Sequence, residues 1–219
     1  MPKLDELFGE SATERIRAAV NEAEGRTSGE IVPYVVGSSD TYAGSYWLSA
    51  LFGALAGPLA AWAAYERLEL WGLPALAWLV GPAFAGAVAG WVAARLVPAW
   101  RRWLAGAETL ERRTRRRAAV AFLEEEVFKT RDRTGILIFL SLFEHRVVVL
   151  GDEGINRKVE QPEWEGIVEG IVSGIRTGRP ADALVEAIGR CGELLQELGF
   201  EIAPDDTDEL SDELRRRDS

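Results

Sequence analysis

The sequence contains very little of two residue types that build many active sites and metal centres. Of its 219 residues, one is a cysteine, Cys191, and one is a histidine, His145. A single thiol excludes an internal disulfide and a thiolate cluster for zinc, as is typical of a protein in a reducing compartment. The first forty residues also lack a basic start followed by an apolar stretch, so we expect no secretory signal peptide.

Charge is absent from two long stretches. Thr41–Tyr65 and Leu70–Ala94 contain no charged side chain, and only Glu66-Arg67-Leu68-Glu69 separates them. A helix rises about 1.5 Å per residue, so each run would reach roughly 37 Å against a hydrocarbon core of roughly 30 Å. The pattern predicts a transmembrane helical hairpin over 41–97. The alternative is a buried helical hairpin in a soluble protein.

The charges around these runs predict their orientation. Eight arginines and two glutamates lie from Arg95 to Arg117, whereas the loop between the runs holds one arginine and two glutamates. By the positive-inside rule the arginine-rich side is cytoplasmic, and two crossings return the chain to the side on which it began. We therefore expect a multi-pass protein of the inner (cytoplasmic) membrane with both termini in the cytoplasm.

Outside the arginine segment the chain is acidic, with a formal net charge of -10 for the whole sequence. Most of the surface would repel phosphate, so we expect no nucleic-acid partner. Residues 199–219 are rich in acids and poor in apolar side chains. Such a segment buries too little apolar surface to fold, and we expect an acidic, disordered tail.

The remaining residues show helix and strand patterns. Ser11-Ala12-Thr13-Glu14 has the form of a capping box, and Pro33 favours an edge position or a bulge for its strand, because proline cannot donate to a ladder. The predicted order is a helix from Ser11 to Gly25, a strand Glu30–Val36, the hairpin, a helix over about Ala107–Thr130, buried strands Thr134–Leu142 and Val147–Leu150, and helices around Trp164–Ile175 and Leu184–Leu198.

These elements predict an α/β fold, an α/β sandwich with a mixed sheet that the two-helix transmembrane hairpin interrupts. The first two strands should be parallel and joined by a crossover that carries the hairpin as an insertion. The second and third strands should pair as an antiparallel hairpin, because their connection is short. We expect one cytoplasmic domain formed by 1–40 and 105–198.

Several segments of this domain resemble the TPM domain family. The similar segments are Ser28-Gly29-Glu30-Ile31-Val32, the strand Thr134–Ser141, the turn Glu144-His145-Arg146-Val147, Gly151-Asp152-Glu153-Gly154-Ile155 and the stretch from Arg179 to Gly189. The resemblance covers roughly 1–40 and 105–198, interrupted by the transmembrane pair as in some membrane-bound bacterial members.

The resemblance implies an α/β domain whose relatives assist membrane complexes, such as thylakoid members in photosystem repair and an animal member beside an ion-channel receptor. It also implies acid phosphatase activity in some relatives and divalent-metal binding by the fold. This chain departs from the family pattern after the third strand. Asn156-Arg157-Lys158 stands where relatives have a further aspartate, and this puts a metal-dependent phosphatase in doubt.

Asp152 and Glu153 are the candidate metal ligands, for Ca²⁺ or Mg²⁺, because carboxylates at the end of a strand can bind a hard cation with backbone carbonyls and water. The alternative is a helix N-terminus, which favours acidic side chains. His145, beside Glu144, is a candidate general base, with a polar hairpin turn as the alternative. We expect the two groups at opposite ends of the sheet, with the His145 turn toward the bilayer.

Two further residue sets are candidates for interactions at the membrane. Small residues at helical spacing let helices approach closely, either within the hairpin or with another membrane protein or a second copy; they are Gly53, Gly57, Gly86 and Gly90. Clustered arginines bind anionic lipid headgroups or only set the topology; they are Arg112, Arg113, Arg115, Arg116 and Arg117.

Together these observations predict an integral membrane protein that presents a cytoplasmic TPM-like domain and binds or assists other membrane components. The spans hold almost no ionisable side chain, which disfavours a transporter or a channel. The alternative function is a membrane-bound, metal-dependent phosphatase that uses acids such as Asp152. We expect no organic cofactor.

Overall fold

The chain has a mixed α/β fold with a four-stranded sheet and two long apolar helices. The computed structural model describes residues 4–68, 75–200 and 210–217. The chain divides into two compact units. Unit 1 comprises Met1–Asp40 and Glu111–Ser219, and unit 2 comprises Thr41–Leu110.

Helices and strands account for most of the described residues. In chain order they are α1 Leu4–Leu7, α2 Glu10–Glu24, β1 Glu30–Val36, α3 Ala43–Leu68, α4 Ala75–Leu96, α5 Pro98–Ala105, α6 Ala107–Glu124, a 3₁₀ turn Val127–Lys129, β2 Gly135–Ser141, β3 Arg146–Gly151, α7 Glu153–Asn156, α8 Gln161–Arg176, α9 Pro180–Glu197 and β4 Arg215–Arg217. The strands predicted at 30–36, 134–142 and 147–150 are therefore confirmed to within a residue at each end.

The sheet of unit 1 has the strand order β3-β2-β1-β4. Strand β1 pairs with β2 in parallel over seven residues, from Glu30 opposite Gly135 to Val36 opposite Ser141. Strand β3 pairs with β2 in the antiparallel sense. Both predicted pairings are confirmed.

Pro33 lies in β1 between two neighbouring strands, and its position explains how the strand tolerates it. Glu30 donates its N–H toward the β2 side, to the carbonyl of Thr134 at 3.3 Å. Alternate residues point their amides to opposite sides of a strand, so the Pro33 nitrogen faces the β4 side. Strand β4 pairs only with Tyr34, Val35 and Val36. The missing donor is therefore at a point where β1 is still an edge strand.

Side chains of β1 and β2 alternate between two apolar clusters because the strand period is two. Ile31, Val35 and Ile138 join the larger cluster with residues of α2, α8 and α9. Tyr34 and Phe139 join the smaller cluster with residues of α6, and their rings stack at 5.6 Å. Both faces of these two strands are thus buried, which explains their nearly continuous apolar sequences.

One predicted helix cap and one predicted helix end are wrong. Helix α2 begins at Glu10 after Gly9, and no side chain caps it, so the predicted capping box at Ser11 does not form. The predicted helix over 107–130 ends at Glu124, because Glu126 has φ 55° and the chain continues as a 3₁₀ turn. Val127 in this turn is fully buried in the smaller cluster.

Strand β3 and the C-terminal tail also differ from the sequence expectations. Strand β3 is only half-buried along its length, because it lies at the edge of the sheet. Residues 199–219 were expected to be disordered, yet Arg215–Arg217 form β4 on the opposite edge. Arg215 forms an ion pair at 3.2 Å with Glu125, which helps to fix this end of the tail. Residues 201–209 and 218–219 lie outside the described part of the chain.

Unit 2 consists of the antiparallel helices α3 and α4, followed by α5 and the start of α6. Residues Ala43–Arg67 and Leu76–Leu96 are long and apolar enough to cross a membrane. Helix α5 begins at Pro98 and stacks Trp100 on Trp103 at 5.0 Å. Glu69 and Trp71, which belong to the predicted loop and span start, lie outside the described residues.

We predict that Cys191 resists alkylation in the native protein. Its side chain is fully buried in the larger cluster of unit 1, and burial raises the pKa of the thiol to about 12. Only the thiolate reacts with iodoacetamide, so at pH 8 labelling should need unfolding. Mass spectrometry of a labelling time course measures the rate. A Ser173→Cys variant supplies an exposed thiol as the control, and native labelling of Cys191 at a similar rate would contradict the burial.

Candidate functional site

The hairpin of unit 2 presents an almost wholly exposed apolar surface. Of the most apolar 18-residue window in each helix, 6% is buried in α3 and 0% in α4. Trp47 and Phe84 are each 73% exposed, and Leu59 is 67% exposed. A soluble monomer rarely leaves contiguous apolar surface of this extent open, so such a surface is typical of a membrane or a protein interface.

The four small residues predicted to pack helices lie on the seam between α3 and α4. A Cβ on Gly53 would lie 1.9 Å from the carbonyl oxygen of Gly86, and one on Gly90 would lie 2.2 Å from that of Ser49. Likewise, a Cβ on Gly57 would lie 2.0 Å from the carbonyl oxygen of Pro82. These glycines therefore pack α3 against α4 within the hairpin.

Polar contacts reinforce one end of this seam. The Ser49 hydroxyl donates to the carbonyl of Gly90 at 2.6 Å and accepts from the Trp100 indole N–H at 2.8 Å. Arg101 donates to the Tyr46 hydroxyl, with its guanidinium 5.4 Å from the Tyr46 ring centre. Helix α5 is thereby attached to the hairpin at the end that carries the arginines.

The five candidate headgroup arginines of α6 have different surroundings. Arg112 and Arg116 are exposed. Arg113 forms an ion pair with Asp40 at 3.1 Å, and Arg115 forms one with Glu111 at 3.2 Å. Arg117 belongs to the interior of unit 1, since only 17% of its side chain is exposed.

Arg117 contacts a buried tyrosine and an acid. It donates to the Tyr34 hydroxyl at 2.7 Å and forms an ion pair with Glu124 at 3.1 Å. Burial raises the pKa of Tyr34, and the nearby Arg117 and Arg217 guanidiniums partly oppose this rise. The position of Arg117 therefore indicates a structural role, and it is the least suited of the five to bind a headgroup.

Asp152 and Glu153 do not converge on a common point. Asp152 is buried, caps α7 by accepting the Glu153 N–H at 2.8 Å, and forms an ion pair with Arg133 at 2.9 Å that is not a linear hydrogen bond. Glu153 is exposed and binds Arg157 at 2.6 Å, and this hydrogen bond lowers the pKa of Glu153. The geometry is that of a helix N-terminus with two arginine partners. Within 4–68, 75–200 and 210–217, no three metal-binding side chains come together.

The turn that contains His145 includes a buried acid that the sequence did not reveal. Glu144 is only 5% exposed, although it was expected in a polar turn. Its carboxylate accepts the Ser39 N–H at 2.8 Å and the Ser141 hydroxyl, and the Ser39 hydroxyl lies 2.9 Å from that of Ser141. His145 has φ 52°, a backbone conformation that is uncommon for residues other than glycine.

We name Ser38, Ser39, Ser141 and Glu144 the serine–glutamate cluster. It joins the ends of the parallel strands β1 and β2, where the chain leaves β1 for the hairpin. The signal was present in the sequence as Ser141 at the end of β2 and Ser38 and Ser39 just beyond β1, because parallel strands end at the same edge of a sheet. Asp152 lies at the other end of the β2–β3 pair, since Gly151 is opposite Ile136.

A concavity among the described residues lies along the exposed edge of β3. This β3 groove has a volume of about 400 Å³ and is lined on one side by α6 and on the other by α8. The α6 wall contributes Glu111, Thr114 and Arg115. The α8 wall contributes Gln161, Trp164, Glu165 and Val168. This groove was not expected from the sequence, because Val147–Leu150 was predicted to be a buried strand.

The floor of the β3 groove is a strand edge with outward-facing backbone groups. Asp152 donates its N–H to the carbonyl of Gly135 at 2.8 Å, which fixes the hydrogen-bonding phase of the β2–β3 pair. By alternation, Val148 and Leu150 bond to β2, whereas Val147 and Val149 point their N–H and C=O groups into the groove. No described residue forms a backbone hydrogen bond to those outward groups.

The two walls of the β3 groove differ in charge and in polarity. On the α6 side, Glu111 forms ion pairs with Arg115 at 3.2 Å and with Arg146 at 3.5 Å, so two arginines and one acid line this wall. On the α8 side, Trp164 and Val168 give an apolar surface beside one acid, Glu165. The groove is therefore suited to a ligand with an acidic face and an apolar face.

We predict that alanine at Gly53 disrupts the seam of the hairpin. Its Cβ would meet a backbone carbonyl, and overpacking of this kind costs about 1–3 kcal/mol. Gly81→Ala is the matched control, because open space surrounds Gly81 in α4. Circular dichroism during titration of dodecyl maltoside micelles with sodium dodecyl sulfate compares the two variants. Equal midpoints for Gly53→Ala and Gly81→Ala would show that the seam is looser than described.

We predict that Glu144→Ala destabilises unit 1 by about 1–3 kcal/mol, because it leaves the half-buried Ser39 N–H and the buried Ser141 hydroxyl without their acceptor. Glu169→Ala, at an exposed position of α8, should change the free energy of unfolding by less than about 0.5 kcal/mol. Urea denaturation, with the reactivity of Cys191 as the readout of unfolding, measures the free energy of unfolding of both variants. An effect of Glu144→Ala no larger than that of Glu169→Ala would rule out a structural role for the cluster.

Comparisons with known proteins bear on the fold. No family model matches the chain, and no curated protein matches it. Among solved structures, the chain is similar to the NMR structure of the BA42 protein from the psychrophilic bacterium Bizionia argentinensis, with a TM-score of 0.59 and 18% sequence identity. The alignment covers 99% of this chain and 100% of that one. At this identity the likeness is one of fold alone.

Proposed function

We propose that the chain is a multi-pass protein of the inner membrane whose unit 1 is a cytoplasmic TPM-like domain that binds or assists other membrane components. The observation that carries the proposal is the exposed apolar surface of α3 and α4, because only 6% and 0% of the residues in their most apolar 18-residue windows are buried. At about 25 cal/mol per Å² of apolar area, leaving such helices in water is strongly unfavourable, and a bilayer removes that cost.

The charges beside the helices support cytoplasmic termini. Arg95 lies in the last turn of α4, and Arg101 and Arg102 lie in α5 with the stacked pair Trp100 and Trp103. Tryptophans at the headgroup level and arginines on the cytoplasmic side are both typical of membrane-protein ends. Because two spans return the chain to its first side, unit 1 would be cytoplasmic in both of its segments.

The binding role of unit 1 is supported by its resemblance to the TPM family and by the β3 groove. In that view unit 1 is an α/β sandwich, with α2, α8 and α9 on one face of the sheet and α6 on the other. The seam glycines are used within the hairpin, so association with a membrane partner or a second copy would need other surfaces. The β3 groove offers one.

The alternative of a metal-dependent phosphatase gains less support from the contacts. Asp152 and Glu153, the candidates for Ca²⁺ or Mg²⁺, each have an arginine partner at 2.9 Å and 2.6 Å. A cation at this position would have to displace those arginines. A purified wild type that hydrolyses p-nitrophenyl phosphate with Mg²⁺, and loses this activity in Asp152→Asn, would favour the phosphatase over the binding role.

Cysteine accessibility tests the topology. In spheroplasts, a membrane-impermeant maleimide should label Arg67→Cys, in the last turn of α3, and should not label Ser173→Cys in unit 1 until the membrane is broken. Both positions are exposed, so the difference reports the side of the membrane. The native chain should also stay in the pellet after carbonate extraction. Labelling of Ser173→Cys in intact spheroplasts, or a chain released into the supernatant, would refute the proposal.

The arginines of α6 should give the protein a preference for anionic lipid. Removal of two exposed cations in Arg112→Gln/Arg116→Gln should weaken retention of phosphatidylglycerol by about 1 kcal/mol per cation. Native mass spectrometry of protein released from mixed phosphatidylglycerol–phosphatidylcholine nanodiscs measures the retained lipid. Arg117→Gln is the control, because this arginine is engaged with Tyr34 and Glu124. Equal losses in both variants would argue against headgroup binding by the exposed pair.

A further inference from the structure

We propose that unit 1 binds an extended peptide segment of a partner protein, which adds to the sheet as a fifth strand along β3. The proposal rests on the proposed function, because it names the class of partner that the membrane-anchored unit would bind. Edges of sheets are templates for extended chains, and strand addition is a common mode of peptide recognition.

The first support is the backbone of β3 itself. Val147 and Val149 direct their N–H and C=O groups away from β2, and Gly151 does the same with its N–H. The Gly151 carbonyl already accepts from the Asn156 side chain at 2.5 Å. The edge therefore offers a short row of backbone donors and acceptors, from Val147 to the Gly151 N–H, where the Asn156 side chain ends it. Only an extended backbone has the spacing to pair with this row.

The second support is the depth of the groove around that edge. Strand β3 pairs with no other described strand on this side, but residues of α6 and α8 line the space beside it. A second copy of this chain would bring its own α6 and α8 to the same place, so a direct pairing of two β3 edges would set these helices against each other. The geometry therefore favours a lone peptide strand over a dimer.

The third support is the charge and polarity of the walls, which set the sequence pattern of the peptide. Alternate side chains of a strand point to opposite faces. One set would face Trp164 and Val168 on α8, and the other would face Arg115 and Arg146, which share Glu111 on the α6 side. The peptide is thus expected to alternate apolar residues with acidic ones.

A synthetic peptide of this pattern tests the inference. The probe is the acetylated and amidated heptapeptide Thr-Asp-Val-Asp-Val-Asp-Thr, with the full-length protein in dodecyl maltoside micelles and in nanodiscs. Isothermal titration calorimetry measures binding, and hydrogen exchange by NMR reports the amides of Val147, Val149 and Gly151. We expect these three amides to become protected on addition of the peptide. Binding that leaves them unchanged would overturn the inference.

Protein variants separate backbone pairing from side-chain contact. Val149→Pro removes an N–H that points into the groove and leaves the bonds of Val148 and Leu150 to β2 in place. It should weaken binding about tenfold or more, because a lost ladder bond and a misfitting ring act together. Val149→Thr keeps the N–H and the β-branched shape, so its affinity should stay within about twofold of wild type. Equal affinities for Val149→Pro and the wild type would overturn the proposal.

Peptide variants test the ladder and the charge from the other side. A probe with alternate amides N-methylated should not bind, because it cannot donate to the edge. A probe with lysine in place of aspartate should bind more weakly than the original, despite the net charge of -10 on the protein. Arg115→Gln should narrow the difference between the aspartate and lysine probes. Tighter binding of the lysine probe would contradict the assigned pattern.

Three further outcomes separate this inference from dimer formation and from the proposed membrane function. If mass photometry shows a dimer that Val149→Pro dissociates, the edge serves a second copy and the peptide proposal falls. If the chain fails the carbonate and maleimide tests, the proposed membrane function falls, while peptide binding in micelles can still be measured. If the chain passes those tests and the aspartate probe does not bind, the inference alone fails.

Discussion

The parallel pairing of β1 with β2 is the contact on which the rest of unit 1 depends. It joins Glu30 to Gly135 and Val36 to Ser141, residues that lie about a hundred positions apart in the chain. Everything between them, including the apolar hairpin and α6, forms the connection between two adjacent strands. A parallel pair needs such a crossover, so the fold accommodates a long insertion without a break in the sheet.

The same pairing brings the serine–glutamate cluster together. Both strands end at one edge, where the Glu144 carboxylate binds the backbone of Ser39 and the hydroxyl of Ser141. This edge is where the chain leaves β1 for unit 2. A buried acid that ties the end of β1 to the β2–β3 turn therefore fixes the backbone at the start of the insertion. Buried polar groups are tolerated when they are paired, as these are.

The other edge of the sheet has a different character. Strand β4 covers β1 from Tyr34 onward, whereas β3 leaves its outward backbone groups in a groove between α6 and α8. Proteins commonly protect such edges with charges or covering helices. Here the flanking helices narrow access without filling the space. The arrangement fits the proposed addition of a peptide strand, and the small residues of the hairpin are already used for its internal packing.

The sequence alone determined those features that depend on local pattern and composition. Strand Glu30–Val36 and the strand that begins at Gly135 follow from their apolar runs, and α3 and α4 follow from a lack of charge. The short β2–β3 connection and the long crossover determined the strand directions. Seam-forming glycines were also recognisable, although the sequence did not decide which helix they would meet.

Only the tertiary structure decided features that depend on which residues meet across long separations. Glu144 is polar and follows a strand, which predicts exposure, yet β1 places Ser38 and Ser39 beside it and makes its burial favourable. Arg117 looks like its four neighbours in sequence, but Tyr34 and Glu124 engage it. The apolar β3 was expected to be buried, but it is half-buried at an edge because the sheet adds β4 on the far side of β1. Strand order and burial are properties of the assembled sheet, since each strand's pattern is compatible with more than one neighbour.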